Sequence, residues 1–366
     1  MTRPRGRLVR AIPWPLIVPL AALVVLAATW GSKPGTLVLV VVAVFLAVAV
    51  PVAVHHAEVV AHRVGEPFGS LVLAVAVTVI EVGLIVTLMA SGGSETDTLA
   101  RDTVFAAAMI TCNGVIGISL VVATLRRRVA TFNAEGSATA FATVITLATL
   151  CLVVPTFTTS APGPEFTSTQ LAFAGIASVA LYALFVFVQN VRHRDFFLPV
   201  EDDAAPAEAH APLPSGRTTV VSLGALVVSL VAVVGLAKVE SPAIEDAVDA
   251  VGAPPSAVGV AIALLVLLPE TLAAYRNARR GRLQTSFNLA YGSAVASIGL
   301  TIPAVALASI WLDGSLVLGL SSTQIVLLAL TAVVGALTIL PGRATLQEGG
   351  VHLVIFGAFL LLAVNP

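Results

Sequence analysis

The sequence predicts an all-α polytopic membrane protein with about eleven transmembrane helices, arranged as two inverted five-helix repeats plus one extra N-terminal helix. Three observations predict it. Of 366 residues, 58% are hydrophobic and only 11% charged, too few charges to cover a water-soluble chain of this size. Apolar runs of about 18–22 residues, the length of a helix that crosses a bilayer, recur from end to end. The basic residues then alternate between successive connections as the positive-inside rule requires.

The spans read, in order, Ile12–Trp30, Leu37–Val54, Gly69–Ala90, Val104–Thr124, Ala138–Phe157, Leu171–Asn190, Thr218–Ala237, Val251–Ala274, Asn288–Ile310, Ser315–Leu340 and Gly350–Val364. The first follows "MTRPRGRLVR" and is longer than the roughly 7–15-residue core of a signal peptide, so it is expected to be a retained helix. With the N-terminus cytoplasmic, the inner segments carry Arg3, Arg5, Arg7, Arg10, Arg63, Arg126, Arg127, Arg128, Arg192, Arg194, Arg217, Arg276, Arg279, Arg280, Arg282 and Arg343, and the outer ones carry Lys33, Arg101 and Lys238. One helix more or fewer would destroy that asymmetry, so the count and an N-inside, C-outside topology support each other.

The connection over 191–217 contains "VEDDAAPAEAHAPLPSG", rich in acid, Pro and Ala, and reads as a flexible cytoplasmic linker. It divides the chain into an N-terminal tail with the extra helix (1–36), a first five-helix repeat (37–190) and a second (218–366). An odd number of spans per half inverts the second half, a plan of secondary transporters with the site near the midplane.

Within the eleven segments stand two carboxylates, Glu81 and Glu270, and no Lys or Arg. A charge at a helix centre costs roughly 2.5–3.5 kcal/mol, so such residues face a cavity and mark an ion path. Glu81 lies on the second span of the first half, Glu270 on the second span of the other, and the inverted halves are expected to bring both to one central site. The helix after each acid also corresponds: "NGVIGISL" from Asn113 lies over "SAVASIGL" from Ser293 without a gap, matching Asn113 with Ser293 and Gly117 with Ser297. Ser293 and Ser297 share a helix face, as do Thr78 and Glu81. Pro269 beside Glu270 frees the carbonyl of Leu265, a further oxygen for a cation. Glu270 is expected to lie within a helix that continues amphipathically through "AAYRNARRG".

Two stretches carry a resemblance. "GEPFGSLVLAVAVTVIEVGLI" (65–85) and "LLPETLAAYRNARRGRLQTSFNLAYGSAVASIGLTIPA" (267–304) resemble the two alpha-repeats of the cation/calcium exchanger superfamily, here spanning about 65–124 and 257–310, and are most similar to the bacterial Cha-type calcium (sodium, potassium)/proton antiporters. The resemblance implies a ten-helix inverted repeat in the bacterial inner membrane. It implies that Glu81 and Glu270 are the paired cation-binding and proton-exchanging acids, and that Asn113, Ser293 and Ser297 lie on the ligand-bearing partner helices. Many relatives carry Gly-Asn before each repeat acid; this chain has Val79-Ile80 and Leu268-Pro269, so a side-chain amide ligand is missing there.

Calcium takes six to eight oxygen ligands. Two carboxylates neutralise it, and hydroxyls, backbone oxygens and water complete the shell. The same pair can instead hold protons, titrating as a unit, and exclusive occupancy suffices for antiport with up to two protons per calcium. The expected function is calcium/proton exchange by alternating access; sodium or potassium exchange on the same scaffold is the alternative. His55, Glu58, His62 and Glu66 form a rough helical stripe that reads as a cytoplasmic entrance or as the wet end of the second span. An enzyme is not expected, since neither membrane acid has a His or Cys partner at useful spacing, and no cofactor is called for. Cys112 and Cys151 sit inside apolar runs and read as core residues. The expected partners are the lipid bilayer and the transported cations, with no nucleic acid and no obligate protein.

Overall fold

The computed structural model describes residues 14–32, 34–65, 68–90, 96–125, 127–199, 213–250, 252–312 and 314–366, apart from the side chains of residues 70, 245 and 249. Arg3, Arg5, Arg7, Arg10, Lys33, Glu66, Arg126 and the central part of the linker (200–212) lie outside the described residues. Among those described, ten helices are long and apolar enough to cross a membrane, and α1 (Trp14–Thr29) is a shorter apolar helix before them. The chain is an integral membrane protein with the all-α architecture its composition predicts.

Five spans follow α1 before the linker: α2 (Thr36–Val64), α3 (Phe68–Met89), α4 (Leu99–Met109) continued through a π-helical turn (Ile110–Val115) into α5 (Ile116–Thr124), α6 (Ala134–Ala148) continued through a second π-helical turn (Thr149–Val153) into α7 (Val154–Phe157), and α8 (Ser168–Phe187). Five more follow it: α9 (Gly216–Ala250), α10 (Ser256–Arg279), α11 (Leu283–Ala308), α12 (Ser322–Ile339) and α13 (Leu346–Val364). The span made by α4 and α5 lies at the centre, with 89% of its apolar window buried, against 22% for α13, which faces outward over most of its length.

Two small antiparallel pairings tie the halves together. β1 (Ala130–Thr131) pairs with β2 (Arg343–Ala344), and Glu165 bridges to Val317 at the other end of the bundle. The second pairing corrects the tenth span. Its apolar run begins at Ser315, but residues 315–320 are extended, and the helix starts at Ser322. Ser321 accepts from the Gln324 N–H, and the Gln324 side chain accepts from the Ser321 N–H, a capping box that fixes the start.

The other helices mostly outrun their apolar segments, because a helix persists through a polar cap that a hydropathy window excludes. α10 runs on to Arg279, as the reading of "AAYRNARRG" requires, so Glu270 sits well inside it. α2 continues to Val64 and carries His55, Glu58 and His62 on its last turns. α4 begins at Leu99 and α9 ends at Ala250, which brings Asp102 and Glu240 inside helices as further buried acids. The expectation of two carboxylates in the spans is corrected accordingly.

α10 approaches α4 through Gly259. A Cβ there would stand 2.8 Å from the Thr103 nitrogen and 3.0 Å from the Asp102 carbonyl carbon, so only glycine permits this spacing.

Candidate functional site

A cavity of about 440 Å³ opens among α3, α8, α10 and α11, and both membrane acids line it. Glu81 comes from the middle of α3 and Glu270 from the second half of α10; they are 3% and 9% exposed. Each is carried by a predominantly apolar helix, so packing rather than local preference sets its depth. The Ser297 hydroxyl on α11 donates to Glu81 Oε1 at 2.7 Å. Thr301, one helical turn further on, is fully buried next to the same carboxyl. Glu270 Oε2 is buried and accepts no hydrogen bond from any described residue. The two acids are therefore inequivalent: one is held by a hydroxyl, while the other keeps an oxygen uncommitted.

Ser293 and Thr78 line the same space, so the shared faces of Ser293 with Ser297 and of Thr78 with Glu81 both point into it. Towards its mouth the wall becomes polar through Gln189, Asn190, Asn277, Thr285 and Asn288. Asn288 donates to the Phe197 carbonyl at 2.6 Å and accepts from Gln284 at 2.9 Å, which fixes that rim. The sequence signal for Thr301 was available, since it continues the four-residue spacing of Ser293 and Ser297. The rim amides gave no such signal, because they sit at the very ends of the apolar segments (Gln189, Asn190, Asn288) or beyond them (Asn277), where polar residues are ordinary.

Asn113 departs from its expected place. It is fully buried but does not line the cavity. Its amide donates to Thr331 Oγ1 at 2.9 Å, and its Oδ1 stands 3.1 Å from His352 Nδ1. The other ring nitrogen of His352 is 3.1 Å from the Thr338 hydroxyl. The π-helical turn over Ile110–Val115 is the reason. One extra residue in a turn rotates the helix faces on either side by about 100° relative to one another. The gap-free overlay with Ser293–Leu300 keeps the order of residues but not the face. Gly117, matched with Ser297, likewise faces α13, where a Cβ would meet Leu353 at 3.0 Å. Leu265, whose carbonyl Pro269 releases, is not among the residues lining the cavity, and α10 runs through Pro269 as one helix.

His55, Glu58 and His62 are exposed at the end of α2, outside the cavity, and Glu66 lies outside the described residues. His55 stacks on Trp14, with ring centroids 6.4 Å apart. His56, which the entrance stripe omits, is the buried member; its Nε2 lies 2.9 Å from the Pro15 carbonyl and ties α2 to α1.

A cavity walled by four helices, with two carboxylates from opposite halves of the chain and hydroxyls beside one of them, offers oxygen ligands to a cation and acceptors for protons at the same atoms. The model of the family described as sodium/calcium exchanger protein matches residues 34–191 and 221–365. A Sinorhizobium fredii protein provisionally named an ionic transporter is 45% identical over 356 residues, 96% of each chain. The sodium-potassium/proton antiporter ChaA of Escherichia coli is 32% identical over 351 residues, 94% of each chain. Among solved structures, YfkE aligns with a TM-score of 0.71 at 15% identity over 96% of this chain and 100% of its own. The H+/Ca2+ exchanger CAX aligns with a TM-score of 0.65 at 16% identity over 95% and 87%.

Proposed function

Because this chain belongs to the sodium/calcium exchanger protein family, we propose that it exchanges calcium for protons by alternating access, with Glu81 and Glu270 as the shared cation and proton site. The observation that carries the reading is that both carboxylates line one cavity, with Ser293 and Ser297 on the same wall. Calcium there would be neutralised by two charges, and its remaining ligands supplied by hydroxyls and water. Protons occupy the same oxygens, so the two cargoes exclude each other. Since a doubly charged empty site is costly to desolvate, only the loaded forms pass between the two faces.

The second reading, sodium or potassium for protons, is favoured by the Escherichia coli relative, whose name gives those ions. The deciding measurement is proton flux in reconstituted liposomes on addition of calcium, sodium or potassium. Calcium is expected to give the largest flux at low concentration. Acidifying the cation side should raise the half-saturating cation concentration while leaving the maximal rate unchanged, because protons compete for the same atoms. A flux driven by sodium or potassium but not calcium would select the second reading, and a cation-independent flux would overturn both.

The cavity mouth lies at the end of the bundle that carries Arg276, Arg279, Arg282 and the linker. The arginine distribution supports a cytoplasmic position for that end. On that orientation the cavity opens inward and the C-terminus lies outside. A C-terminal alkaline phosphatase fusion is expected to be active and a C-terminal green fluorescent protein fusion dark; the reverse pattern would invert the topology.

A further inference from the structure

A second pocket, of about 220 Å³, lies at the opposite end of the bundle, and its walls have a defined relation to those of the acid cavity. Inverting the five-span halves exchanges α3 with α10, α8 with α13, and α11 with the span made by α4 and α5. The contacts of the bundle follow that exchange: α3 packs on α11 as α10 packs on α4, and α8 packs on α11 as α13 packs on α5. The acid cavity uses α3, α8, α10 and α11. Its inverted image is a space bounded by α10, α13, α3 and α4. The second pocket takes Asp102 and Phe105 from α4, Val260 from α10 and Phe359 from α13, with Gln324 of α12 at its side. Three of the four helices of the inverted image are therefore already present around it.

What separates this pocket from the interior is specific. Phe105 and Phe359 are almost fully buried and meet edge to face, with centroids 5.7 Å apart and planes at 81°. Deeper along the same seam come Phe356 against Gly114 and then the Asn113–His352 contact. Beyond these, a Cβ on Gly349 would stand 2.9 Å from the Val121 nitrogen, so the seam is closed. Above the ring pair, Asp102 is held by Arg101 at 2.9 Å, Thr98 at 2.9 Å and Gln324 at 3.1 Å, a polar collar shared by both halves. On the open side, α8 carries Tyr182 and Phe185 at a similar distance along the helix, and there they stand in the cavity wall without plugging it.

We propose that the pocket between α4, α10 and α13 is the outer mouth of the ion path and that the Phe105–Phe359 pair is the gate that closes it. The proposal rests on the antiport reading and extends it to the outward-facing half of the cycle. In that half, α13 separates from α4 and α5, the rings part, and Asn113 and His352 become polar lining of the path to the acids. This assigns Asn113 a place on the outer route, where the rotated face of the π-helical turn puts it.

The test is a reversible cross-link. In the double variant Phe105→Cys, Phe359→Cys, reconstituted in liposomes, the reduced protein is expected to retain cation-dependent proton flux, slower and leakier than the unsubstituted chain because the rings that close the seam are gone. Treatment with a bis-methanethiosulfonate reagent, whose short spacer joins cysteines too far apart for a direct disulfide, followed by mass measurement of the cross-linked fraction, is expected to abolish exchange in proportion to that fraction, and reductant is expected to restore it. The single variants and the unsubstituted chain, whose Cys112 and Cys151 are buried, control for modification elsewhere. Full exchange by the cross-linked protein would overturn the gate. Exchange by the reduced variant upholds the antiport reading whichever way the cross-link falls, so the two can fail separately.

Discussion

Replacing Glu81 with Gln is expected to abolish cation-dependent proton movement while leaving the fold intact. The side chain keeps its shape, and its amide oxygen can still accept the Ser297 hydroxyl that now sits at 2.7 Å. On the proposed mechanism, what is lost is one of the two charges that compensate a divalent cation in a buried site. Removing one partner of a buried ionic arrangement costs about 3–5 kcal/mol, or roughly a hundredfold or more in affinity. The variant also loses the atom that takes up a proton, so the return step fails too. Glu270→Gln should be equally inactive but less stable. Glu270 Oε2 has no hydrogen-bond partner among the described residues, and an amide nitrogen placed there would be a buried donor without an acceptor. Flux in liposomes and thermal unfolding in detergent separate the two effects. Near-normal exchange by either variant would remove the shared-site mechanism.

Ser297→Ala is expected to raise the half-saturating cation concentration by about tenfold or more, with little change in the maximal rate. Its hydroxyl donates to a carboxylate, and hydrogen bonds to charged groups contribute about 1.5–3 kcal/mol. It also holds Glu81 in one rotamer, so its removal costs preorganisation of the site. Ser297→Thr keeps the hydroxyl and should restore most of the affinity. If alanine and threonine behave alike, the hydroxyl has no part in the site and Ser297 is a packing residue. Ser293→Ala should have a smaller effect, because Ser293 lines the cavity without a hydrogen bond to either acid in this state.

The inequivalence of the two acids has a structural origin that the paired sequence motifs conceal. Ser297 and Gly117 occupy matched positions in the overlay, yet only the second-half residue reaches an acid. The first-half helix carries a π-helical turn, and the second-half helix α11 runs as α-helix throughout. The break in symmetry between the halves is therefore built into the backbone as well as into the side chains.

Much of this protein was legible in its residues. Span number follows from apolar length, which is local, and the arginine asymmetry fixes the parity of the count. Glu81 and Glu270 stand out because an acid in an apolar run is rare for a physical reason, its solvation cost. Their convergence on one cavity was foreseeable from the odd number of spans per half. Ser293 and Ser297 followed from helical spacing. Asp102 and Glu240 were missed because helix ends do not coincide with the ends of apolar runs.

The sequence by itself determined that this chain crosses a membrane many times and that two acids stand within the apolar runs of its two halves, because both depend on composition and periodicity along single helices. Only the tertiary structure decided which face each helix turns to its neighbours. That choice set Ser297 on Glu81, sent Asn113 to His352, left Glu270 Oε2 without a partner, and closed one end of the path with Phe105 against Phe359. Packing between helices fixes rotation and depth to within a fraction of a turn, and a single extra residue in a π-helical turn is enough to redirect a face.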